Sequence, residues 1–227
     1  GWDVSSVTNM RGMFNSATSF NQDISNWDVS SVTDMRYMFG GADDLSDDNK
    51  CVIHNSFDSN SNWPYDWESY CPFETKAELQ TAVNEWIENS DSASSTYGDI
   101  NTWNTSLIIN MSYLFSDETK FNGDISGWDV SSVTDMHAMF LEAEDFNQSL
   151  SDWDVSSVTN MQVMFSDAES FNQDISDWDV SSVTHMSWMF TGADSFNQDI
   201  SGWDVSSVTD MHAMFLEADS FNQSLSD

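Results

Sequence analysis

Apolar positions return along this chain every 25 residues. Tryptophan stands at Trp2, Trp27, Trp103, Trp128, Trp153, Trp178 and Trp203, and every gap is 25 except the 76 between Trp27 and Trp103. Methionine follows eight positions later, at Met10, Met35, Met111, Met136, Met161, Met186 and Met211. Phenylalanine follows after twelve, from Phe14 to Phe215. A fixed period of this length marks an array of stacked units, each too poor in apolar surface to fold without a neighbour. The tryptophan column is expected to form a core ladder running through the stack.

Within one unit, Val32, Met35, Met38 and Phe39 fall at i, i+3, i+6 and i+7, one face of a short helix. Ser31 and Asp34 before them have capping-box character. Asp23-Ile24-Ser25 and Asp28-Val29-Ser30 alternate polar and apolar, as short strands do. The expected fold class is therefore a leucine-rich-repeat-like solenoid. Short parallel strands plus short helical turns would make each coil, with shared ladders rising about 4.8 Å per coil.

Residues 46 to 96 break the period. Cys51 and Cys71, the only cysteines, both fall there. A disulfide is the expectation for an extracellular chain, and two free thiols are the alternative. A metal site is disfavoured, because two cysteines without a paired histidine pattern lack ligands. Next, Leu79, Val83, Trp86 and Ile87 trace an amphipathic helix that starts with the capping box Thr75–Glu78. The coil at Trp103 is degenerate, with Leu114 in a Met position and Glu118 in an Ala position, as terminal coils are expected to be. The organisation read from this is 1–45, the end of a first repeat array; 46–73, a Cys-containing connector; 74–96, an amphipathic capping helix and linker; and 97–227, a second array. The chain opens at Gly1-Trp2 and stops at Asp227 in repeat phase, so it reads as a segment of a longer one.

The run "FNQDISxWDVSSVTxMxxMFxxA" resembles the repeat of the BspA-like leucine-rich repeat surface proteins of bacteria, mycoplasmas and single-celled eukaryotes. The likeness covers seven repeats and the segment around "AELQTAVNEWI". It implies a leucine-rich type of solenoid at the cell surface or secreted. It implies little about activity, since many members have no assigned function and the best-known ones are adhesins.

Charge narrows the partners. There are 39 acidic and 5 basic residues, a formal net charge of −34. Nucleic acid is disfavoured as a partner, because binding it needs clustered Lys and Arg. An anionic membrane surface is disfavoured for the same reason, and no apolar run is long enough to insert in a membrane. Divalent cations, mineral surfaces and neutral glycans stay open.

Two aspartate columns are candidate cation-binding ladders: Asp3, Asp28, Asp129, Asp154, Asp179 and Asp204, and Asp23, Asp124, Asp174 and Asp199. Stacked like charges repel. Calcium, which takes oxygen ligands, would offset the repulsion. Hydrogen bonds from backbone amides at the bends, with solvent screening, would offset it without a metal. Asn21, Asn147, Asn172, Asn197 and Asn222, each followed by Gln, are expected to bond neighbouring backbone at a turn. Asn104, Asn110, Asn147 and Asn222 lie in N-x-S/T sequons and are candidates for covalent glycans if the chain is secreted. A column of Thr8, Thr33, Thr134, Thr159, Thr184 and Thr209 makes ice or mineral binding a minor alternative. His54, His137, His185 and His212 are scattered, and no catalytic motif occurs, so no enzyme and no required cofactor are expected.

The functional expectation is a non-enzymatic extracellular structural protein. Its coils would stack end to end into a fibre, as copies of itself or as one long chain, Asp227 leading into a coil like that at Trp2 either covalently or by docking. The near identity of 129–151 and 204–226, which differ only at 144/219 and 145/220, fits a polymer. The alternative is a surface adhesin that holds a glycan or another cell.

Overall fold

The computed structural model describes residues 1–225. The chain forms two compact units, Gly1–Cys71 and Pro72–Asp227. Asp227, from which the end-to-end join is expected, lies outside the described residues.

In the second unit each coil is a succession of tight turns. The coil that starts at Trp153 shows the pattern. The N–H groups of Trp153, Val158, Met164, Ser166, Ala168 and Phe171 donate three residues back, to Leu150, Val155, Met161, Val163, Phe165 and Ala168. Alternating with these, Met161, Val163, Phe165 and Asp167 donate forward to the carbonyls of His185, Ser187, Met189 and Thr191 in the next coil at 2.7–2.9 Å. The same forward bonds run from Met111, Tyr113, Phe115 and Asp117 and from Met186, Trp188, Phe190 and Gly192.

This overturns the strand-and-helix expectation. Among the described residues no strand forms, and the coils touch as isolated parallel bridges. Those bridges run Asn110↔Asp135↔Asn160↔His185↔Asp210 in one unit and Asn9↔Asp34 in the other. The expected Asp-Val-Ser strands do not pair because their donors are spent locally: Ser156 N–H goes to Asp154 Oδ1 at 3.1 Å and Ser181 N–H to Asp179 Oδ1 at 3.0 Å. The expected helical turns fail because alternate N–H groups leave for the next coil. The backbone accordingly turns left-handed at two positions per coil, as at Val163 (φ 61) and Asp167 (φ 58). A positive φ at the third residue of a turn is the type II geometry, which interrupts a helix. The leucine-rich-repeat-like solenoid is thus replaced by a stack of turn-built coils with the same period. The apolar spacing i, i+3, i+6, i+7 marks successive turns that point inward.

Aromatic columns fill the centre of the stack. Phe115, Phe140, Phe165, Phe190 and Phe215 stack at 5.4–5.7 Å, and Phe121, Phe146, Phe171, Phe196 and Phe221 at 5.8–6.1 Å. Each indole N–H reaches back one coil: Trp128 to Ile100, Trp153 to Ile125, Trp178 to Leu150 and Trp203 to Ile175, at 2.7–3.2 Å. Helix α1, Lys76–Glu88, starts at a capping box in which Thr75 and Glu78 serve each other. Its Leu79, Ala82 and Val83 are buried in the same core as Trp103 and Phe115. Gln80 Nε2 donates to the Leu114 carbonyl at 3.0 Å, standing in for the N–H of a preceding coil. A shorter helix α2, Ser90–Tyr97, follows.

In the first unit two coils are closed by a helix the sequence pattern did not announce, α3, Asp47–Phe57. Its Ile53 and Phe57 enter the core with Val32, Met35, Met38 and Phe39. Side chains replace the missing next coil. Asn60 Nδ2 donates to the carbonyls of Val29 and Val32, Ser56 Oγ to Ser25, and the Tyr65 hydroxyl accepts from Phe39 N–H at 2.8 Å. Cys51 and Cys71 are joined in a disulfide.

Candidate functional site

Both aspartate columns sit at bends and are bonded locally. Oδ1 of Asp3, Asp28, Asp129, Asp154, Asp179 and Asp204 accepts the N–H of the serine two residues on. Asp23, Asp124, Asp174 and Asp199 do the same. The serine hydroxyl bond, then the serine N–H, lowers the carboxyl pKa at Asp154 and Asp179. The next carboxylate in the column acts in the opposite sense. All ten aspartates are exposed. Among the described residues no cluster of three or more His, Cys, Asp or Glu side chains is arranged to hold a metal ion.

The column at the bridges mixes charge with its neutral partners. Asp135 accepts from Asn110 Nδ2 and from Asn160 Nδ2, both at 3.0 Å. The aspartates are thereby separated by Asn and His side chains along Asn110, Asp135, Asn160, His185 and Asp210, a pattern visible one residue before each Met but overlooked in reading the sequence.

The Asn-Gln pairs form an amide ladder. Oδ1 of Asn147, Asn172 and Asn197 accepts the N–H of the asparagine one coil on at 2.9–3.0 Å, and the next Gln Nε2 as well. In the sequons, Asn104 and Asn110 bind their own serines, Ser106 and Ser112, at 2.7 Å through Oγ. Asn147 is half-buried in the ladder, and Asn222 is exposed. The threonine hydroxyls are spent between coils: Thr159 on the Thr134 carbonyl, Thr184 on Thr159 and Thr209 on Thr184.

The histidines do not converge. His54 is buried between the Trp63 indole N–H (3.0 Å) and Glu68 (3.2 Å). His137 meets the Tyr113 hydroxyl at 2.8 Å. His185 Nδ1 lies 2.8 Å from Thr184 Oγ1, and His212 meets the edge of Trp188.

Trp103, Trp128, Trp153, Trp178 and Trp203 are buried; Trp27 is half-buried, and Trp2 is 73% exposed. The last described coil is also open. Val205, Met211 and Leu225 are exposed, whereas Val180, Met186 and Ile200, their counterparts one coil back, are buried. Among the described residues the N–H groups of Met211, Ala213, Phe215 and Glu217 meet no carbonyl, although their counterparts Met186, Trp188, Phe190 and Gly192 all do.

A family model described as "Mycoplasma protein of unknown function, DUF285" matches residues 1–65, 78–181 and 151–227. The match agrees with the BspA-like resemblance at the level of the family. No curated protein and no solved structure matches the chain.

Proposed function

We propose, from the premise that the chain belongs to this family of unknown function, that it is a non-enzymatic structural repeat protein of the cell surface or exterior, built to lengthen by adding coils end to end. The coil-to-coil bonding of the second unit carries this reading, because coil after coil presents the same N–H donors and aromatic rings to the next. The coil at 204–225 repeats four of those donors, and its Val205 and Met211 stand where the coil before it buries Val180 and Met186. Matching acceptors exist in the first coil, where the carbonyls of Asn9, Arg11, Met13 and Asn15 accept nothing among the described residues. A head-to-tail contact of this kind does not close, so it propagates as a filament. The disulfide Cys51–Cys71 fits an oxidising exterior. Calcium at the aspartate columns and sugars at the sequons are compatible additions.

Sedimentation velocity and electron microscopy of the 227-residue chain test the proposal, with and without calcium. Filaments that shorten in Met211→Lys, which places a charge where the coil before it buries Met186, are the expected result. A monomer that stays single at every concentration, or filaments indifferent to Met211→Lys, would contradict it. In the first of those cases the adhesin reading takes its place.

A further inference from the structure

The first unit holds a cleft beside Trp27. In the second unit the outer face of a tryptophan is followed by the next ring, as Trp178 is followed by Trp203 at 6.4 Å. Trp27 stacks on Trp2 at 6.1 Å on one side, but the position 25 residues on is Val52, inside α3, and no ring follows. The closing segment packs against Val32, Met35, Met38 and Phe39. A cleft of about 390 Å³ remains between Trp27 and the loop after α3, within the range of small-molecule sites.

Its lining is chemically specific. One wall is Trp27 with Asp28 and Ser30; the other is Ser59, Asn60 and Ser61. Asn60 is committed to structure, since its Nδ2 holds the Val29 and Val32 carbonyls. Asp28 Oδ1 accepts the Ser30 N–H at 3.0 Å. The Ser30 hydroxyl bonds the same carboxylate and lowers its pKa, while the hydroxyls of Ser59 and Ser61 make no hydrogen bond among the described residues. The cleft thus combines one aromatic face with several short hydroxyl and carboxylate groups, and it contains no basic residue.

From this we infer that the cleft is a binding site for a neutral sugar residue, seated with its apolar C–H face on Trp27 and its hydroxyls on Asp28, Ser30, Ser59 and Ser61. Such ligands match a site in which a few placed polar groups accompany an apolar wall. Acidic sugars are disfavoured by Asp28 and by the net charge of −34. The site needs no coil addition, so it stands or falls separately from the filament.

The test is saturation-transfer-difference NMR on the whole chain, with the methyl glycosides of glucose, galactose, mannose and N-acetylglucosamine as probes at up to about 10 mM, a range that captures weak binding. At least one should receive saturation. Ser59→Trp, at an exposed rim position outside the core, should fill the cleft and reduce the transfer at least about fivefold. Trp27→Leu keeps an apolar contact with the core, removes the platform and should do the same. Far-UV circular dichroism of both variants, compared with the parent, reports on folding. No transfer to any of the four glycosides would overturn the inference, and so would equal transfer in a folded Ser59→Trp chain.

Discussion

Truncating one tryptophan in the middle of the stack should damage the protein far more than truncating the same residue at its start. Trp178 is 3% exposed, stacks on Phe165 and Trp203 at 6.4 Å each, and donates its indole N–H to Leu150 at 3.0 Å. Removing a buried aromatic costs about 3–5 kcal/mol through lost transfer and residual cavity. The Leu150 carbonyl keeps its bond from Trp153 N–H, so losing the indole bond adds only about 0.5–1.5 kcal/mol. Trp178→Ala should therefore cost about 4–6 kcal/mol. Trp178→Phe keeps the ring and should cost about 1–2 kcal/mol. Trp2→Ala, at a side chain 73% exposed, should stay within about 0.5 kcal/mol. Urea unfolding followed by far-UV circular dichroism measures all three without depending on indole fluorescence. Because each coil touches only its neighbours, the Trp178→Ala transition is also expected to broaden as coils uncouple. The reasoning is refuted if Trp178→Ala costs under about 1 kcal/mol, or no more than Trp2→Ala.

Three further outcomes follow from local geometry. Replacing Cys51 and Cys71 together by serine releases a loop of separation 20 and should destabilise the first unit by about 3 kcal/mol, read as a lower unfolding midpoint for that transition alone. Gly127 and Gly202 occupy the same repeat position, but a Cβ on Gly127 would lie 2.5 Å from the Asn101 carbonyl oxygen, and one on Gly202 meets nothing within 4 Å. Gly127→Ala should cost about 1–3 kcal/mol and Gly202→Ala should be near neutral, by the same urea titration. Acid should weaken the coils: serine bonds hold Asp154 and Asp179 below the ordinary value of 3.8, and the Arg36 side chain holds Asp34 at about 2. Stability from lowered carboxyls is present above 3.8 and lost as pH falls towards the folded-state values. The melting temperature should fall between pH 4 and pH 2 and change little from pH 5 to 8, and a rise on acidification would count against these bonds.

The period was legible because it lives in large side chains. Trp, Met and Phe at positions 8 and 12 apart recur whatever backbone carries them. The backbone was not legible, because the same spacing suits a helical face and a pair of inward turns. What decided between them was where alternate N–H groups go, and those of Met161, Val163, Phe165 and Asp167 go to another coil. A hint was present: Gly12, Gly41 and Gly192 stand at left-handed positions where other coils carry Tyr37, Asp117 or Trp188. Glycine recurring within a supposed helix argues for a turn. The helix at Lys76–Glu88 announced itself through Thr75, Glu78, Leu79 and Val83. The one at Asp47–Phe57 did not, since Cys51, Asn55 and Ser56 dilute its pattern. Its signal was the cap Ser46 with Asp47 and Asp48 in the first turn, and Ile53 and Phe57 four apart. The cleft beside Trp27 was invisible for the same reason, because it depends on what replaces the missing third coil.

The most direct test of the central claim, that each coil templates the next, is to append one more coil. A copy of residues 178–202 placed after residue 227 should protect the amides of Met211, Ala213, Phe215 and Glu217 from hydrogen exchange to the level of Met186, Trp188, Phe190 and Gly192, and should raise the unfolding midpoint. Unprotected amides and an unchanged midpoint would contradict it.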